Sequence, residues 1–160
     1  MTYQEYRENR QARFNALPIF FAFGADQFRR AMEERGLTEN DTDQLYSLGG
    51  GGYYLKKDAD EIRAFYNEPD RLPDLMKEFD FAEGAFFYEM CNHEYGINYQ
   101  RFWDVCSCFT DKDLPFLDDD LWGESVDKYA EIIGWSDDTK RAYRAAERRY
   151  YRTAEEKEWY

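Results

Sequence analysis

Hydrophobic positions along this chain fall into short stripes, separated by polar, glycine and proline breaks. Tyr3, Tyr6, Phe14 and Leu17 recur at roughly helical spacing, with Arg7 and Arg10 among them. Thr2 and Glu5 stand three apart as a capping box does, and Pro18 stops the helix, which predicts a first helix over 3–16. Ile19-Phe20-Phe21-Ala22-Phe23 is the best strand candidate. Gly24 turns the chain into a helix over 25–35, with Phe28, Ala31 and Met32 inward and Gly36 at its end. Leu45, Tyr46 and Leu48, then four glycines, then Tyr53-Tyr54-Leu55 read as a β-hairpin. Asp58 is placed as the cap of a helix carrying Ile62, Phe65 and Tyr66, which Pro69 and Pro73 end. Leu72, Leu75, Met76 and Phe79 suggest a short helix. Asp80 is placed as the cap of a helix over 81–95 that Gly96 closes. Further helices are expected from 119 or 124 to Ile133, and from Ser136 to about Lys157. Residues 97–117 stay unassigned. The expected architecture is an α-rich α+β fold: about three antiparallel strands, one hairpin among them, packed by five to seven helices in a single domain over 1–160.

Composition narrows the function classes. The chain has 160 residues, 21 Lys+Arg against 34 Asp+Glu, and a net charge of −13. Four Trp, 14 Tyr and 13 Phe exceed what a small core needs, so several Tyr and Trp are expected at the surface, where such rings serve as binding hot spots. No run approaches the roughly 20 apolar residues of a membrane helix, and the polar first fourteen residues lack a signal-peptide core. Three cysteines make no disulfide scaffold. A cytoplasmic, membrane-free protein is expected.

Candidate chemistry is sparse. Gly49-Gly50-Gly51-Gly52 matches no phosphate-binding motif and reads as a hairpin tip, with phosphate binding the competing reading. Cys91, His93, Cys106 and Cys108 are four soft side chains of the kind zinc takes, but their pairs are tighter than the usual zinc spacings. On a helix Cys91 and His93 point about 200° apart, whereas Glu89 and His93, at i and i+4, can meet. On a strand, Cys106 and Cys108 would share a face. The alternative reading is two or three small buried hydrophobes and one hydrogen-bonded histidine. No metal is favoured, no cofactor is expected, and no hydrolase or kinase motif appears.

Charge patterning says more. Asp111, Asp113, Asp118, Asp119, Asp120, Glu124 and Asp127 form an acidic stretch that could stand in for duplex phosphates on a basic protein surface. The competing reading is a surface that merely keeps the protein soluble. Arg144, Arg148 and Arg152 form a basic stripe on the last helix, beside an apolar stripe of Tyr143, Ala146 and Tyr150. The acidic remainder argues against direct nucleic-acid binding.

Leu17 to Phe28, the glycine hairpin from Leu48 to Leu55, and Tyr88-Glu89-Met90-Cys91-Asn92-His93-Glu94-Tyr95 together resemble a family of small uncharacterised proteins. That family is encoded in phages and mobile elements of Gram-positive gut bacteria, and the likeness covers most of residues 1–100. The resemblance implies no activity and no catalytic residues. What it implies is context: mobile-element accessory genes often encode inhibitors of host defence, and acidic antirestriction and anti-CRISPR proteins are similar in size and charge. The expectation is a non-enzymatic acidic protein that binds a partner with a basic surface, such as a host nucleic-acid-handling or defence enzyme. A small metal-dependent or hydrolytic enzyme around Cys91, His93, Cys106 and Cys108 is the alternative, and a dimerising structural or regulatory module the second.

Overall fold

Thr2 and Glu5 close the capping box that their spacing predicts. The Glu5 N–H donates to Thr2 Oγ1 at 3.1 Å and the Thr2 N–H to Glu5 Oε2 at 2.7 Å, starting α1 (Tyr3–Asn15). The computed structural model describes residues 1–117 and 124–160. Among them are eight α-helices and a three-stranded antiparallel sheet, an α-rich α+β fold. The helix beyond the expected seven lies at 101–107, inside the segment left unassigned. The residues group into two compact units. One comprises Met1–Arg7 and Asp70–Tyr160, the other Glu8–Pro69.

The Glu8–Pro69 unit holds the sheet, ordered β1 (Ile19–Phe21), β3 (Gly52–Leu55), β2 (Leu45–Gly49). Phe20 pairs with Tyr53 and Tyr53 with Ser47; Ile19 pairs with Tyr54 and Tyr54 with Tyr46. The turn between β2 and β3 explains the glycine run. Gly49, Gly50 and Gly51 all have positive φ (80°, 56° and 81°), a left-handed backbone that L side chains resist. The inward face carries Phe20, stacked on Tyr53 at 5.7 Å. Phe28 of α2 (Ala25–Glu34) meets Tyr53 edge-on at 5.3 Å, and the Arg35 guanidinium lies 4.0 Å over Phe20. Gly36 ends α2 as predicted, at φ 73°, with the Leu37 N–H returning to the Met32 carbonyl. Asp58 makes no side-chain cap to α3 (Ala59–Tyr66). A 3-10 turn over Lys56–Asp58 leads in instead. The Phe65 ring lies 6.1 Å from Phe14, and Arg13 bridges to Glu68 at 2.5 Å.

The second unit is helical. Pro73 does not break a helix but sits in the first turn of α4 (Leu72–Leu75), where its missing N–H costs nothing. Then follow α5 (Phe79–Asn92), α6 (Arg101–Ser107), α7 (Glu124–Ile133) and α8 (Asp137–Glu156). Asp80 falls in the first turn of α5 rather than capping it. The predicted apolar stripe of α8 is buried, Tyr143, Ala146 and Tyr150 together with Ala142 and Ala154, and it packs on Ala82, Ala85, Phe86 and Met90 of α5. Alanines on both helices leave room for the large rings packed among them. Phe86 is the hub, edge-on to Phe109 (5.0 Å), Trp135 (5.0 Å) and Tyr143 (4.9 Å). Ser136 caps α8 as predicted, accepting from the Thr139 N–H at 3.2 Å.

Gly96 does not end α5. The helix stops three residues before the expected Tyr95, and the left-handed position falls to Glu94, at φ 50°. The Tyr95 N–H still returns to the Met90 carbonyl at 3.0 Å, the same closing turn that Gly36 makes for α2. Gly96 serves a close approach instead: a Cβ there would fall 1.8 Å from Tyr160 Oη.

Candidate functional site

Two features of the fold bear on function, one in each unit. In the helical unit the focus is Glu89, one turn from the end of α5 and 1 % exposed. A carboxylate this deep must be compensated. Tyr3 Oη donates to its Oε1 at 2.7 Å and Arg7 Nη1 at 2.5 Å, both from the start of α1. Asn92 Nδ2 donates to Oε2 at 3.1 Å. The Arg7 guanidinium also lies 5.0 Å over the Tyr88 ring. Burial first, and then Glu89, push the Tyr3 hydroxyl well above its ordinary value, so it stays a donor.

His93 follows one turn on, as the i, i+4 spacing predicts, with Nε2 3.6 Å from Glu89 Oε2. Cys108, just past the end of α6, brings Sγ to 3.5 Å from the same Nε2 and 3.3 Å from the Asp104 carbonyl. Asn98 ties the two segments together: its Nδ2 donates to the His93 carbonyl at 3.1 Å and to Asp104 Oδ2 at 2.5 Å. Of the four predicted soft side chains the structure joins only His93 and Cys108. Cys91 is exposed and Cys106 fully buried, and neither belongs to the group. No strand carries Cys106 and Cys108: Cys106 lies in the helix α6 and Cys108 caps its end.

This arrangement is poorly suited to nucleophilic catalysis. Burial, and then the Glu89 charge, push the Cys108 thiol up to about 12, so it is protonated at neutral pH. A triad also needs nucleophile and orienting carboxylate on opposite ring nitrogens, whereas here both face Nε2.

Of the predicted acidic surface, Asp111, Asp113, Glu124 and Asp127 are exposed. Asp118, Asp119 and Asp120 lie outside the described residues. The acids are interleaved with bases. Asp127 lines a solvent-open groove with Lys140, Arg141, Arg144 and Arg148, so two of the three residues of the predicted basic stripe share a groove with one member of the acidic set. Arg144 also lies 3.7 Å from Glu147, while Arg148 and Arg152 are exposed.

In the sheet unit, the face opposite Phe20 is apolar and open. Phe21 is 50 % exposed, Phe23 75 %, Tyr46 45 % and Leu48 39 %. Phe21 stacks on Phe23 at 6.4 Å, and Tyr46 lies 5.6 Å from Tyr54. A Cβ on Gly52 would touch both Phe21 and Leu48, which places those two side chains on one side. The sequence held little sign of this face. An all-apolar run such as Ile19 to Phe23 has no polar alternation to show which side is covered. Nor does any local spacing link Arg7 to Glu89, 82 positions away.

Among the described residues no helix is long and apolar enough to cross a membrane. The chain belongs to a family of unknown function (DUF7659), whose model matches residues 2–104. No curated protein and no solved structure matches it.

Proposed function

We propose, for this member of a family without an assigned activity, a non-enzymatic role: binding another protein through the open apolar face of the sheet. The observation that carries the reading is the set Phe21, Phe23, Tyr46 and Leu48 on one face. Contiguous exposed rings of this kind mark interaction sites, and aromatic anchors dominate interface energetics. The exposed rings call for a partner with an apolar patch, and the net charge of −13 favours a partner that is basic overall. The narrower form is an inhibitor encoded by a phage or mobile element. In it, Asp111, Asp113, Asp118, Asp119, Asp120, Glu124 and Asp127 occupy the basic groove of a host nucleic-acid-handling or defence enzyme.

The test compares wild type with Phe21→Ser/Phe23→Ser and with Asp118→Asn/Asp119→Asn/Asp120→Asn. Proteins captured from a nuclease-treated Gram-positive lysate are identified and their affinities measured against salt. The aromatic variant is expected to lose one basic protein, by at least tenfold in affinity. The acidic variant is expected to flatten the salt dependence of that same complex. Equal capture by wild type and the aromatic variant overturns the sheet-face reading. An unchanged salt slope overturns the phosphate-like form. Self-association that Phe23→Ser abolishes would make the occupant a second copy of the chain instead.

A further inference from the structure

We propose that Glu89, His93 and Cys108 form a binding site for one tetrahedral divalent transition-metal ion, zinc by ligand type, in the helical unit and independent of the sheet face. Their ligand atoms, a carboxylate oxygen, an imidazole nitrogen and a sulfur, all lie within 4.8 Å of one another. The spacings suit an ion among them. With zinc about 2.3 Å from sulfur and about 2.0 Å from nitrogen, a tetrahedral S···N edge is about 3.5 Å. The edge from Cys108 Sγ to His93 Nε2 is 3.5 Å. The corresponding N···O edge is about 3.3 Å, against 3.6 Å from His93 Nε2 to Glu89 Oε2. Carboxylate, imidazole and thiolate together are a donor set that zinc takes.

The surroundings hold the ligands as a metal site requires. A carboxylate offers about four lone-pair positions. Tyr3 and Arg7 use those of Oε1 and fix the plane of the carboxyl group; Asn92 uses one on Oε2. The remaining side faces His93 and Cys108. Asn98 locks the His93 backbone to the helix that carries Cys108. The one left-handed non-glycine residue at the end of α5 is Glu94, directly after His93, a local strain of the kind that accompanies held functional groups. Two of the three ligands reach open space: His93 lines a depression with Glu94, Ile97, Asn98 and Tyr99, and Cys108 lines a separate groove with Phe109 and Thr110. On binding, the Cys108 S–H bond is replaced by a sulfur–metal bond and the proton leaves to water. Three protein ligands leave the fourth position to water or a small donor, as in open zinc sites.

The test is titration of the full, reduced chain with Co²⁺, followed by displacement with Zn²⁺. One equivalent of cobalt is expected to give a thiolate-to-metal charge-transfer band with tetrahedral d–d absorption, which zinc then removes. Cys108→Ser should abolish the band and Cys91→Ser should keep it. His93→Ala should weaken cobalt binding at least tenfold. Zinc should raise the melting temperature of wild type and leave that of Cys108→Ser unchanged. Absence of the band in wild type overturns the site whatever the variants do. A band that survives Cys108→Ser, or disappears with Cys91→Ser in a folded protein, overturns the ligand assignment.

Discussion

The two units divide the same kind of residue differently between core and surface. In the helical unit a packed set of rings goes inward with paired hydroxyls: Tyr95 donates to Glu147 at 2.6 Å, Tyr143 to Tyr95 at 3.2 Å, and Tyr129 to the Pro115 carbonyl at 2.9 Å, while Phe79, Tyr99, Phe116, Tyr151, Trp159 and Tyr160 stay exposed. In the sheet unit, rings stack on both faces of three short strands and one face stays open. Charge divides too. The sheet unit has 8 Lys+Arg against 11 Asp+Glu, net −3, and the helical unit 13 against 23, net −10. A chain-wide excess of aromatics therefore means two things at once. It is packing where α5 and α8 supply two helical surfaces to fill, and contact area where a small sheet has layers on one side only.

The contrast can be broken first at its hub. Phe86→Ala removes a ring at the meeting point of Phe109, Trp135 and Tyr143, and should cost about 3–5 kcal/mol in denaturant unfolding. Phe23→Ser, on the open face, should change stability by no more than about 0.5 kcal/mol. Equal losses at the two positions would show that the open face is covered in solution. Next comes the buried carboxylate. Arg7→Ala leaves Glu89 without its cation and should cost about 2 kcal/mol. That is less than for a fully buried pair, because the Arg7 side chain is 46 % exposed.

Raising the pH should erode the helical unit. The Cys108 thiol ordinarily titrates near 9 and is pushed up to about 12 by burial and Glu89, so the folded state keeps its proton longer than the unfolded chain does. Its contribution is complete below pH 9 and is lost as the pH rises towards 12. Thermal melts in metal-free buffer across that range check this, and Cys108→Ser should flatten the fall. The smallest expected effect is a gain. Glu94→Gly relieves a left-handed side chain and should stabilise the protein by up to about 1 kcal/mol, read from the denaturation midpoint. The same substitution loosens the residue next to His93.

What the sequence revealed follows the range of the interactions. The Thr2–Glu5 box, the Ser136 cap, the Gly36 stop and the hairpin are settled within a few residues, and each was readable. Gly96 misled because the motif that ends a helix needs a left-handed backbone, which Glu94 supplies at some strain, while Gly96 makes room for Tyr160. The α6 helix was hidden because seven residues carry too few turns to show a period. Glu89 and His93 were legible as a pair. Their partner Arg7 was not, and Cys108 was legible only as one of three candidate cysteines for His93, since α1 and α6 reach the pair through tertiary packing.

The three left-handed glycines at the hairpin tip also set an order in time. Joining β2 to β3 closes a loop of about two residues around a backbone already suited to the turn. Pairing β1 with β3 must first gather the thirty residues between Phe21 and Gly52. The hairpin therefore forms early, on the microsecond scale usual for such turns, and β1 arrives afterwards. Until it does, the edge of β3 is bare, and the open face is incomplete: Tyr46 and Leu48 come with the hairpin, and Phe21 only with the last strand to dock.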